Sequence, residues 1–138
     1  IGEAVLIFNP ELKKHAAYYQ KQSAQLFSKN RFIAAQFNAL LRNNLWLKMA
    51  QHANAMGALL ATEASKIDGV KLTQNNTANA VFAIIPTHAV KPLQEKYRFY
   101  VWNEQTGELR WMCSYDTTPE EVLDFCNTLK TLCETTRS

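Results

Sequence analysis

Arg98-Phe99-Tyr100-Val101-Trp102-Asn103, Gln105-Thr106-Gly107, Glu108-Leu109-Arg110-Trp111-Met112-Cys113-Ser114-Tyr115 and Thr118-Pro119-Glu120-Glu121 follow one another closely near the end of the chain. The first and third stretches are rich in aromatic and β-branched residues, and a Gly-containing loop joins them. That pattern predicts a β-hairpin. The fourth predicts a helix start: Thr118 as N-cap, Pro119 at the first helical position and Glu121 closing a capping box. Val122, Phe125, Leu129 and Leu132 give the helix that follows one apolar face. A hairpin running directly into an amphipathic helix places this half of the chain in the α+β class.

Working backwards, Ala80–Ile85 predicts a strand stopped by Pro86, and Thr87–Lys96 a short helix with Pro92 as its weak point. Val70–Thr73 predicts a short strand after the Asp68-Gly69 break, and Asn75-Asn76-Thr77 a loop. Upstream the pattern becomes helical. Asn9-Pro10 opens a polar, Gln-rich helix expected over Glu11–Leu26, with Tyr18, Tyr19 and Phe27 as its large apolar groups. A second helix is expected over Lys29–Arg42 and, after a weak break at Asn43-Asn44, a third to about Lys66. Phe37, Leu41, Leu45, Met49, Ala53, Met56 and Leu60 recur at three- or four-residue steps and predict one apolar stripe. The expected division is residues 1–66, helical, and residues 67–138, a small mixed or antiparallel sheet packed by helices. Val5-Leu6-Ile7-Phe8 reads as a buried strand almost at the first residue. It is expected to pair with strands of a longer protein, and the N-terminus looks cut.

Composition excludes several classes. The chain has 138 residues, 47% apolar and 20% charged, which is ordinary globular composition. No apolar run approaches the ~20 residues of a membrane-spanning helix. The net charge of +3 is mild, and the basic residues are dispersed rather than striped, which argues against a nucleic-acid partner. Cys113, Cys126 and Cys133 form no CxxC pair, and their odd number argues against a disulfide framework. Cys126 and Cys133 share a face of the last helix and read as small buried hydrophobes. His15, His52 and His88 are scattered, and no metal site is expected.

The strand over Glu108–Tyr115 carries the one residue with an evident chemical use. Alternation puts Leu109, Trp111, Cys113 and Tyr115 on one side, facing a core, and Arg110, Met112 and Ser114 on the other. An arginine projecting from a rigid strand can grip a carboxylate through two parallel hydrogen bonds, which lysine cannot. A solvated arginine, or one paired with a structural Asp or Glu, fits the same spacing.

Three stretches together resemble a known family: Gly2-Glu3-Ala4-Val5-Leu6-Ile7-Phe8, Lys21-Gln22-Ser23-Ala24-Gln25-Leu26-Phe27-Ser28-Lys29-Asn30-Arg31-Phe32, and Leu109-Arg110-Trp111-Met112-Cys113-Ser114-Tyr115-Asp116-Thr117-Thr118. Asn44-Leu45-Trp46-Leu47, His52-Ala53-Asn54-Ala55-Met56 and Ala78-Asn79-Ala80-Val81-Phe82 fit it as well. Their order resembles the C-terminal part of low-specificity L-threonine aldolases and aromatic β-eliminating lyases. These are pyridoxal 5′-phosphate enzymes of the aspartate-aminotransferase-like fold. The resemblance implies cleavage of L-threonine or L-allo-threonine to glycine and acetaldehyde, in a cytoplasmic homo-oligomer, dimer or tetramer, acting on a small amino acid. It implies that Arg110 holds the substrate α-carboxylate. It places the Schiff-base lysine upstream of Ile1, so the chain alone is expected to be inactive and free of cofactor. Lys21, Lys29 and Arg31 fall where the family keeps cations near the cofactor phosphate, partly from a neighbouring subunit. Ser28-Lys29-Asn30-Arg31 stands where some members carry Gly-Gly-Gly-Met-Arg, and each of the three also reads as a solvated helix cation. A β-eliminating lyase, a phenylserine-type aldolase and a non-catalytic α+β binding or dimerisation module are the alternative readings. Asn79 reads as a structural turn residue.

Overall fold

The computed structural model describes residues 3–135. Two compact units divide it, Ile1–Trp46 and Leu47–Ser138. The architecture is α+β. Among the described residues no helix is long and apolar enough to cross a membrane.

The first unit is helical. Asn9 caps α1 (Pro10–Lys13), its Oδ1 accepting from the Glu11 amide at 2.9 Å. The helix expected over Glu11–Leu26 is broken: α1 ends after one turn and α2 (Ala16–Gln22) is a separate piece. Neither buries a residue. A polar helix without a packed stripe lacks the burial that stabilises a longer run. Ala24, at φ 55°, turns the chain away before Leu26. Helix α3 spans Asn30–Leu41, close to expectation. Val5–Phe8 is not a strand. It has no ladder partner among the described residues, and Val5, Leu6 and Phe8 are largely exposed.

The break at Asn43-Asn44 is a 3-10 turn over Arg42–Asn44 with both asparagines left-handed, at φ 55° and 56°. Asparagine tolerates that region better than most residues. The turn resets the helical phase, so the stripe expected from Phe37 to Leu60 is not one buried seam. Leu41 and Leu45 are exposed, whereas Ala53 and Leu60 are buried. The buried face of α4 (Leu45–Ala64) is Ala53, Gly57, Leu60, Ala61 and Ala64.

The second unit is a four-stranded antiparallel sheet with helices on one face. Its strands are β1 (Lys71–Leu72), β2 (Ala80–Ile84), β3 (Tyr100–Asn103) and β4 (Glu108–Met112), in the order β1-β2-β4-β3. Val81, Ala83 and Ile85 and, from β4 and the residue just past it, Leu109, Trp111 and Cys113 face the core. There they meet α4, α5 (Thr87–Lys96, with Pro92 inside it) and α6 (Pro119–Glu134). Leu93 and Leu129 are fully buried. Both halves of the Thr118–Glu121 capping box are present. Tyr115 does not join the core as expected. The strand ends at Met112, the Ser114 amide donates to Thr117 Oγ1 at 2.8 Å, and Tyr115 lies exposed beyond it. Asn79 is structural: its Nδ2 donates to the Cys113 carbonyl at 2.7 Å, and its own carbonyl accepts from the Cys113 amide at 2.9 Å.

All three cysteines are free. Burial pushes the Cys126 thiol up to about 11, with the Glu63 charge adding to it. The Cys113 and Cys133 thiols are raised for the same first reason, burial. Thiolate is the reactive form, so alkylation of the native chain at pH 8 is expected to be slow at Cys126 and Cys113 and fastest at half-buried Cys133. Mass-spectrometric mapping checks the order; labelling of Cys126 first would contradict this packing.

Candidate functional site

Arg110 sits on β4, an interior strand, on the sheet face turned away from the helices. Cross-strand register sets Phe82 of β2 directly opposite it on one side and Tyr100 of β3 on the other. Val101 pairs with Leu109 and Asn103 with Glu108, so Trp102 is the extra residue of a β-bulge. Bulges re-aim side chains. Here the Arg110 guanidinium carbon lies over the Trp102 ring, 4.5 Å from its centroid, and 5.9 Å from that of Tyr100. Phe82 meets Trp102 edge-on, at 5.7 Å and 74°. Two aromatic rings, Trp102 and Tyr100, thus bracket Arg110, and Phe82 backs Trp102.

The charge in that bracket is unpaired. Arg110 is half-buried, yet among the described residues no carboxylate pairs with it; the ion pairs are Lys14–Glu11, Lys66–Glu63 and Lys96–Asp124. Its Nε is buried without a hydrogen-bond partner. Among the described residues no structural ion pair, one of the readings the spacing allowed, is formed by Arg110. The arrangement offers a half-buried guanidinium, stacked on an indole, to an external acceptor. Such a group favours a planar anion that can take two parallel hydrogen bonds, a carboxylate above all.

Lys21, on α2, Lys29, the uncapped N-cap position of α3, and Arg31, on its first turn, are all exposed. None forms an ion pair among the described residues. They lie in the first unit and Arg110 in the second. The histidines are structural where they are bonded. His52 Nε2 donates to the Thr117 carbonyl at 2.7 Å, and His88 Nε2 to that of Leu132 at 3.2 Å. Among the described residues no group of three or more His, Cys, Asp or Glu is placed to hold a metal ion. Lys96, donating to Asp124 at 2.8 Å, and Tyr97, donating to it at 2.6 Å, hold that exposed carboxyl below the usual carboxylate range.

The alternation of β4 puts Arg110 on this face, as expected, but gives no sign of Trp102 beside it. Alternation along β3 puts Tyr100 and Trp102 on one face, and a hairpin register would have set Tyr100 opposite Arg110. The bulge that brings Trp102 under the guanidinium leaves no signature in residue type.

No protein-family model matches the chain. Among individual proteins, a low-specificity L-threonine aldolase of Pseudomonas aeruginosa is 37% identical over 94% of this chain and 38% of its own length. A second, of a Pseudomonas species, is 40% identical over 88% of this chain and 35% of its own. The chain is homologous to the low-specificity L-threonine aldolases. A solved structure described as the threonine aldolase of Leishmania major superposes with a TM-score of 0.81, at 27% identity, covering 92% of this chain and 38% of that one. The chain therefore spans less than two-fifths of the length of these aldolases.

Proposed function

We propose that the chain is the C-terminal part of a longer pyridoxal-phosphate-dependent aldolase. That enzyme breaks the Cα–Cβ bond of L-threonine or L-allo-threonine and releases glycine and acetaldehyde. One observation carries the reading: a half-buried arginine, stacked on aromatic rings and with no carboxylate partner among the described residues, in a chain homologous to proteins named threonine aldolases. In this reading Arg110 accepts the α-carboxylate of the amino acid on its terminal nitrogens. Fixing that end of the substrate sets which Cα bond is aligned for cleavage.

The residues present suit the phosphate end of the cofactor. Three exposed cations, Lys21, Lys29 and Arg31, fall within one short stretch at and before the start of α3 and have no carboxylate partner among the described residues. Phosphate favours such cations and the amides of a helix start. The cofactor, when bound, draws electrons from the breaking bond. No lysine of this chain is given the anchoring role, which the reading leaves to a segment before Ile1. It takes residues 1–66 as the end of a large domain with connecting helices and 67–138 as the small domain, in a cytoplasmic homo-oligomer.

The test compares two polypeptides. The longer protein carrying this segment is expected to release acetaldehyde from L-threonine. The chain alone, supplied with pyridoxal phosphate, is expected to release none and to show no absorbance of a lysine-bound cofactor. Turnover by the chain alone would overturn the assignment of the missing lysine. A longer protein that ignores threonine but degrades tryptophan or phenylserine would replace the aldolase by an eliminating lyase or an aryl-selective aldolase.

A further inference from the structure

Trp102 has no core to serve. It stands at the bulge of β3, an edge strand, 53% exposed, and its two ring contacts are with Arg110 and Phe82. Its stacking against the Arg110 guanidinium, not its exposure, is the feature that points to a role. The Arg110 side chain has rotamer freedom to lose on gripping a ligand. Its Nε is buried with no acceptor, so no hydrogen bond at that atom fixes the head of the side chain. What fixes it is the indole 4.5 Å below, with Tyr100 at 5.9 Å as a weaker second wall.

We propose that Trp102 is a positioning residue for carboxylate recognition: its indole face holds the Arg110 guanidinium in its bound orientation before the substrate arrives. Phe82, edge-on against the indole, supports Trp102 in turn. Trp102 makes no contact with the substrate itself. This rests on the assignment of Arg110 to the α-carboxylate. Preorganisation of this kind acts chiefly by lowering the ordering cost of binding.

The test uses the longer holoenzyme with Trp102→Leu, Trp102→Phe and Arg110→Lys. A cation–π contact at a partly exposed site is worth a few-fold in affinity, so Trp102→Leu is expected to raise KM for threonine about three- to fivefold. The turnover number should change by less than about twofold, the mark of lost uniform binding. Trp102→Phe keeps a ring face and should recover most of the affinity. Inhibition by glycine, which carries the carboxylate, should weaken in Trp102→Leu, and inhibition by glycinamide should not. A merely structural role for the indole would weaken both alike. As a readout apart from activity, the Arg110 Nε–H resonance of the 138-residue chain should move on Trp102→Leu, because the ring current above it is lost.

If Arg110→Lys leaves KM unchanged, the carboxylate assignment fails and this inference with it. If Arg110→Lys raises KM while Trp102→Leu does not, or if glycine and glycinamide weaken equally, the positioning role alone is overturned. Should Trp102→Leu not fold, Trp102→Thr, a residue suited to an exposed edge strand, still decides: glycine inhibition weakened about three- to fivefold with glycinamide inhibition unchanged supports the ring face, and glycine inhibition unchanged overturns it.

Discussion

Arg110→Ala in the longer enzyme is expected to raise KM for threonine by about thirty- to a hundredfold, corresponding to ~2–3 kcal/mol of lost charge-assisted hydrogen bonding. The figure sits at the low end for such pairs because the side chain is half-buried, not sealed. Arg110→Lys keeps the charge and loses the fork, and should recover only part of the affinity. Stability should hardly change. Arg110 has no ion pair to lose among the described residues, and its face of the sheet is not the one the helices cover. Thermal melts run beside the kinetics separate the two effects. Unchanged affinity for threonine in a folded Arg110→Ala enzyme would falsify the carboxylate reading.

Gly57→Val should be the most destabilising single change proposed for the second unit. Gly57 is buried in α4 against the backbone between β1 and β2. A Cβ built there would stand 2.9 Å from the Ala78 carbonyl oxygen, 3.0 Å from Asn79 Cα and 3.2 Å from Asn79 C. All three are main-chain atoms, and no rotamer change can clear them. Alanine would gain about 1 kcal/mol of helix propensity over glycine, which offsets part of the clash. Valine gains less and adds two methyl groups, so a loss of ~3 kcal/mol and a drop in melting temperature of roughly 10 °C or more is expected. The displaced backbone is the one Asn79 ties to Cys113 at the end of β4, so the strand that carries Arg110 would be strained as well. Gly107→Ala is the control. Gly107 has φ 70° and nothing within 4 Å of an added Cβ, so it should show only the ~1–2 kcal/mol cost of a left-handed residue. Equal losses at the two glycines would contradict the close-approach account.

These two residues mark what a sequence can and cannot display. Arg110 could be placed by eye, because strict alternation from Leu109 to Cys113 assigns each neighbour a side. The last helix was equally legible, since Thr118, Pro119 and Glu121 are a local code read within one turn. Gly57 was not. Its requirement comes from residues 78–79, distant in the chain, and a glycine inside a helical pattern advertises nothing about what passes beside it. The split of the first expected helix is a similar case: propensity continued through Lys14 and His15, but no apolar stripe anchors the run. Val5–Phe8 has strand composition without a strand, because a ladder needs a neighbour that composition cannot supply. The bulge at Trp102 depends on how two strands slide past each other, a property of the pair and not of either segment.

Strand β4 keeps two inventories on alternate residues. Leu109 and Trp111 hold the fold together, and Arg110 between them does not. Over evolutionary time the two sets can drift separately. A lineage could exchange the arginine and its aromatic neighbours for a different ligand grip without re-optimising the interior, and could retune the interior for heat or cold without disturbing what the open side recognises.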